Sequence, residues 1–215
     1  MILFGSSVSP FVRKVLAFAA EAGIELEHRA IGLNSDDAEF NRASPFRKIP
    51  ALLDGDFALA DSSAIVHYLD ALRPDSDLIP SEPRAKGRCV WWDEWADTLL
   101  FACGGKMFFN RIVAPRFLGR DGDSEVADNA ERDELPPLLD YLEREIPPSG
   151  FLVEDRLTLA DIAVASPFAN FDYMEVDIAR WPKVKTYVAA LLARPSFAGQ
   201  IAADKAFFVK LAARS

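Results

Sequence analysis

Residues 48–72, KIPALLDGDFALADSSAIVHYLDAL, decide the fold. IPALLD and FALA are short apolar runs that flank Asp54-Gly55-Asp56. Asp-Gly between two such runs marks a β-hairpin, because the tight turn needs the positive φ that glycine supplies. SSAIVHYLDAL then resumes helical periodicity. Upstream, MILFG is a short apolar run ended by glycine, which suits a buried strand. Ser9 precedes Pro10, and Phe11, Val15, Leu16, Phe18 and Ala19 recur at helical spacing. Serine at the N-cap with proline at the first helical position starts that helix, and Gly23 stops it. Residues 26–31 (LEHRAI) read as a second strand. The order over 1–72 is therefore β-α-β followed by β-β-α.

Beyond it the texture changes. RPDSDLIPSEP at 73–83 holds three prolines among small polar residues, which is linker composition. No convincing strand follows. The spacing predicts a long helix over 84–113, a loop at 119–124 and a helix over 125–146 closed by Pro147-Pro148. A buried helix is expected from Thr158 to Phe171, another from Pro182 to Ala193, and a weakly amphipathic one from Phe197. Thr158-Leu159-Ala160-Asp161 reads as a capping box, with Leu157 and Ile162 at staple positions, and its role is structural. The stripe of Trp91, Trp92, Trp95, Phe101, Phe108 and Phe109 reads first as core.

Composition excludes several classes. The chain has 215 residues, half of them hydrophobic, enough to bury a core without staples. Acids outnumber bases 33 to 24, giving a net charge of −9, a field that repels nucleic-acid backbones. No apolar run approaches the ~20 residues of a membrane helix. The basic pair Arg13-Lys14 follows the first apolar stretch, the reverse of a secretory signal, so a cytoplasmic location is expected. Cys89 and Cys103 have no metal spacing and fall in one helix, too far apart to bridge. Reduced, buried thiols are expected.

Three short segments carry candidate chemistry. Ser6-Ser7-Val8-Ser9-Pro10-Phe11 links a strand to a helix, whose N-terminus offers unpaired N–H groups and partial positive charge. A hydroxyl there can donate to an anion such as a thiolate, or Ser9 simply caps. Lys48-Ile49-Pro50 is either an ordinary edge proline or a cis bond that turns Ile49 N–H and C=O toward a ligand. In Asp61-Ser62-Ser63, Ser62 or Ser63 can cap, free N–H groups can bind a carboxylate and Asp61 can pair with an ammonium. Together they suit an amino-acid group carrying both charges. His28 and His67 have no triad-like context and read as structural or surface residues.

Taken in order, SPFVRKVL, RKIPALLD, ALADSSAIVHYL and TLADIAVA resemble the cytosolic glutathione transferases, of serine type and bacterial, over essentially the whole chain. The resemblance implies an α/β plus all-α fold: a thioredoxin-like, glutathione-binding domain (βαβ-ββα) at 1–76, a linker at 77–83 and an all-helical domain at 84–215 with the electrophile pocket. It implies a cytoplasmic homodimer with a role in detoxification, glutathione as cosubstrate, a hydrophobic electrophile, and no metal, nucleic acid or membrane partner. Ser9 corresponds to the serine that faces the glutathione sulfur. Zeta-type members use a serine at the place of Ser6 with a cysteine nearby, where this chain has Val8. Phe11 and Lys48 join the glutathione site, Lys48 at the glycyl carboxylate. Ile49 pairs through its backbone before a cis Pro50, and Asp61 with Ser62 holds the γ-glutamyl end. Met107, Phe108 and Arg111 are the expected electrophile pocket. Phe46 either inserts into a partner subunit or packs within its own chain.

Cysteine-type members have Cys-Pro-Phe where this chain has Ser9-Pro10-Phe11. Serine removes the thiol needed for a mixed disulfide, so conjugation is expected rather than thiol transfer. The other readings are a different glutathione-dependent reaction (peroxide reduction, isomerisation or dehalogenation) and a non-enzymatic, regulatory protein of the same fold.

Overall fold

A computed structural model describes residues 1–32 and 35–212. Four strands form one mixed sheet in the order β2-β1-β3-β4. β1 (Ile2–Phe4) pairs parallel with β2 (Glu27–Arg29) and antiparallel with β3 (Ala51–Asp54), which makes the hairpin with β4 (Phe57–Ala60). Strand alternation sorts the side chains to two faces. Leu3 and Leu52 pack with Val12, Val15, Phe18, Ile65 and Leu69 of α1 (Pro10–Glu21) and α3 (Ser62–Leu72). Phe4, Ala51 and Leu53 turn the other way, onto Phe40 and Ala43 of α2 (Ala38–Ala43). The thioredoxin-like arrangement is thus built on two short, fully covered strands.

Two local details differ from the expected pattern. β2 is shorter than 26–31 and is an exposed edge strand. Helix α2 has no counterpart in that pattern; it starts at Asp37, whose carboxylate accepts from the N–H groups of Glu39 and Phe40. That cap was the available signal, followed by too short an apolar pattern to register.

The rest is helical. One long run comprises α4 (Pro83–Glu94), a π segment (Trp95–Leu100), α5 (Phe101–Phe108), a second π segment (Phe109–Val113) and α6 (Ala114–Phe117). It is followed by α7 (Ser124–Asn129), a π segment (Ala130–Glu134) and α8 (Leu135–Glu145). Then come α9 (Leu159–Tyr173), α10 (Pro182–Leu192) and α11 (Pro195–Ala212). Residues 159–171 are all buried, and α9 packs against α1, α4 and α10. The capping box closes its start. Asp161 accepts from the N–H groups of Thr158 and Leu152, both at 2.9 Å, and from the Tyr187 hydroxyl at 3.0 Å. Cys89 and Cys103 are free and buried, and burial pushes each thiol up to about 12, which leaves both protonated and inert. Among the described residues no helix is long and apolar enough to cross a membrane.

Candidate functional site

The hairpin and the start of α3 form one wall of a cleft of about 800 Å³, and the long helix forms the other. Phe11, Lys48, Ile49, Pro50, Asp61 and Ser62 all line it, so residues 50 positions apart in sequence meet there. The Ile49–Pro50 peptide bond is cis. Ser44 clamps the segment before it: its hydroxyl donates to the Lys48 carbonyl at 2.7 Å and accepts from the Lys48 N–H at 2.8 Å.

At the other end of the cleft, the serines do not cap α3. Asp61 does, with φ at 82° and its carboxylate accepting from Ser63 N–H (2.9 Å) and Ala64 N–H (3.2 Å). A short side chain that bonds its own backbone is the type that tolerates a left-handed residue. This leaves the Ser62 and Ser63 hydroxyls for the cleft floor, where both donate toward Asp97 at 3.4 Å. Asp97 comes from the π segment and also lines the cleft, so the end marked by Asp61 holds a second carboxylate from the helical domain. Phe11 is fixed by an edge-to-face contact with Phe101, ring centroids 4.4 Å apart.

The turn between β1 and α1 reaches Ile49 of the cleft through Gly5, but Ser6, Ser7 and Ser9 are not part of the cleft lining. Gly5 closes β1 with φ at 137°; a side chain there would come 2.6 Å from Val12 and 3.0 Å from Ile49. Only glycine lets the strand end, the turn and the Ile49 loop approach so closely. Ser9 occupies the N-cap position of α1 with Pro10 behind it, is half-buried, and its hydroxyl makes no capping bond. Ser6 faces a second, apolar pocket of about 400 Å³ with Ile31, Phe40, Arg47, Ile49, Phe117 and Phe207. Ile49 lines both hollows, so they share a wall.

Beneath the turn, α1 buries two consecutive cations. Arg13 is fully buried and donates to the Ser166 carbonyl at 2.7 Å, Asn170 Oδ1 at 2.8 Å and Asp204 Oδ2 at 3.3 Å. Lys14 lies on the cleft side, 2.7 Å from Asp93 and 2.5 Å from Asp97. Burial works against its charge, but Asp93 and then Asp97 outweigh that and raise its pKa above the ordinary value. Burial in turn pushes the Asp97 carboxyl up, with Lys14 pulling it back.

The three residues expected around the electrophile scatter. Met107 is fully buried in the main core. Phe108 packs beside Val8, Ile112 and Phe208. Arg111 turns outward to pair with Glu131 at 2.5 Å and Asp128 at 2.7 Å. Their expected place rests on the resemblance alone, and a π segment at Trp95–Leu100 widens the turn ahead of them. Phe117 and Phe207, which no helical pattern singled out, line the apolar pocket instead. Phe46 is 87% exposed at the cleft mouth, so packing within its own chain does not account for it.

Comparison with known proteins agrees with this architecture. Family models described as the N-terminal and C-terminal domains of glutathione S-transferase match residues 3–77 and 124–190. A glutathione S-transferase of Hyoscyamus muticus is 28% identical, over 94% of this chain and 97% of its own length. Glutathione S-transferase 3 of Zea mays is 30% identical, over 94% and 93%. The solved structure of glutathione S-transferase I bound with lactoylglutathione superposes with a TM-score of 0.82 at 26% identity, covering 94% of this chain and 98% of that one. The chain belongs to the glutathione S-transferase family.

Proposed function

We propose that this family member is a cytoplasmic enzyme that binds glutathione in the cleft and conjugates its thiolate to small hydrophobic electrophiles, a detoxification chemistry. The observation that carries the reading is the meeting of Phe11, Lys48, Ile49, Pro50, Asp61 and Ser62 on one cleft. Glutathione has an anionic glycyl end, an extended middle and a zwitterionic γ-glutamyl end. Lys48 takes the first, the Ile49 backbone takes the second, and the α3 N-terminus with Asp61 takes the third. Asp97 adds negative charge at the end that meets the ammonium. Exposed Phe46 supports a homodimer in which it seats on the partner subunit; Phe46→Ala would then sediment as a monomer where the parent does not.

Catalysis needs the thiolate. A thiol of pKa ~8.5 is only a few per cent ionised at neutral pH. Lowering it by ~2 units takes roughly 2.7 kcal/mol. A charged hydrogen bond from Ser9, or from Ser6, and the positive end of α1 supply energy of that order. The thiolate sulfur bonds to the electrophilic carbon, the displaced electron pair leaves with the leaving group, and the thiol proton passes to solvent. The serine stabilises charge and forms no bond itself. The electrophile enters the apolar pocket beyond Ile49, against Phe117 and Phe207.

Affinity on immobilised glutathione tests the site. Asp61→Asn preserves the cap and removes the charge, so its retention should fall at least about tenfold; undiminished retention overturns the assignment. Ultraviolet titration of bound glutathione then separates the serines: Ser9→Ala should raise the thiol pKa, and an unshifted curve hands the role to Ser6.

A further inference from the structure

Asp204, on α11, is buried, its side chain 4% exposed, and it is surrounded by donors. The Ser7 hydroxyl donates to Oδ1 at 2.5 Å, the Tyr173 hydroxyl to Oδ2 at 3.0 Å, and Arg13 to the same oxygen at 3.3 Å. Arg13 and Asn170 also donate to the Val8 carbonyl, at 3.4 and 3.0 Å. The catalytic turn is therefore gripped twice, through the Ser7 side chain and through the Val8 backbone, and both grips lead to one carboxylate on the last helix.

The same helix carries the pocket wall. Positions three and four residues on from Asp204 share its side of α11. Phe208 is buried against Val8, with its ring 5.2 Å from Tyr173. Phe207 stacks on Phe117 at 6.0 Å and lines the apolar pocket with Ser6. A buried carboxylate is satisfied only where its donors are, and these stand on α1, α9 and the turn, so α11 has one docking register.

We propose that Asp204 is a positioning residue: through Ser7 and Arg13 it locks α11 against the turn, holds Phe207 as a wall of the pocket beside Ser6, and so governs affinity for the electrophile and not for glutathione. This rests on the reading that the electrophile occupies that pocket. The glutathione cleft is lined by none of the residues in this network. A merely structural role for Asp204 would affect both substrates alike.

The test uses the full chain, with Asp204→Ala and the milder Ser7→Ala, which removes only the donor on the turn. Steady-state conjugation of a chlorodinitrobenzene should show the KM for the electrophile raised about tenfold in both, with the KM for glutathione within about twofold. Amide exchange should quicken together in peptides covering 6–12 and 200–212. If Asp204→Ala does not fold, Ser7→Ala alone decides. Equal changes in the two KM values, or no change in either, overturn the proposal. If the parent chain makes no conjugate, the functional reading fails instead; the lock is then judged by exchange alone, supported if both peptides respond and overturned if they respond separately.

Discussion

Arg13 and Lys14 are neighbours on one helix, equally buried, and their surroundings are opposites. Arg13 points toward α9 and α11, where its donors meet a carbonyl, an amide oxygen and a single carboxylate. Lys14 points toward α4 and the cleft, where it sits between two carboxylates. The difference follows from shape. A guanidinium is a planar fork that can satisfy several neutral acceptors at once, whereas an ammonium is a compact charge. The Arg13 region is charge-balanced and geometric; the Lys14 region carries one excess negative charge and is electrostatic. Each ties the first domain to the second, one behind the apolar pocket and one under the cleft.

On that contrast, Lys14→Met gives the largest effect. It strands the buried Asp93 and the half-buried Asp97, and removing one partner of a buried pair costs about 3–5 kcal/mol. The cost depends on pH. Burial already raises the Asp97 carboxyl above its ordinary value, and without Lys14 the rise is greater. A carboxyl whose native pKa exceeds its unfolded value of about 3.9 favours the native state at low pH, and that help disappears as pH rises through the native pKa. Urea unfolding should therefore show a smaller deficit at about pH 5 than at about pH 8. Lys14→Met combined with Asp97→Asn should recover part of the loss at the higher pH. A deficit independent of pH would remove Asp97 from the account.

Arg13→Lys comes next and probes geometry with charge held constant. One ammonium cannot reach the Ser166 carbonyl, Asn170 and Asp204 together, so at least two buried hydrogen bonds go, at about 1 kcal/mol each. The expected loss is about 2 kcal/mol, with no dependence on pH between about 5 and 8. A pH-dependent loss would mean that this region, too, is governed by charge.

Neither cation's role was legible in the sequence, where Arg13-Lys14 is only a basic pair beside an apolar run. What could be read was local. Asp54-Gly55-Asp56 carries its turn, Ser9-Pro10 its helix start and Thr158-Asp161 its capping box, because each is settled by residues within a few positions. The residues that line the cleft were legible through ordered motifs of the same local kind. The apolar pocket was not. Phe207 and Phe117 meet across 90 positions, and Ser7 and Asp204 across 197. Met107 was expected beside the electrophile only from the resemblance, and distant core partners bury it fully instead. Burial of a charge is likewise invisible until its distant partners are known. Even at Asp61-Ser62-Ser63, the expected caps were Ser62 or Ser63, and the folded chain gives that role to Asp61 at φ 82°.

A third tie from α1 gives the smallest expected effect and sets the scale for the other two. Glu21, on the last turn of α1, accepts from Arg194 at 2.8 Å and from Ser196 at 2.6 Å, at the start of α11. The geometry is bidentate, as good as anything Arg13 makes, but the pair is half open to water, with Arg194 35% exposed. Solvent screening should hold its contribution below ~1 kcal/mol. The hydrogen bond from Arg194 lowers the Glu21 pKa, so the sign is opposite to that of Asp97. Its stabilisation is present above the unfolded carboxyl value of about 4.3 and is lost as pH falls through the native pKa. Glu21→Gln should lower the melting temperature slightly at neutral pH and not at about pH 3. A cost at neutral pH as large as that of Arg13→Lys would mean that burial does not separate these ties, and that the contrast between the two buried cations rests on hydrogen-bond geometry alone.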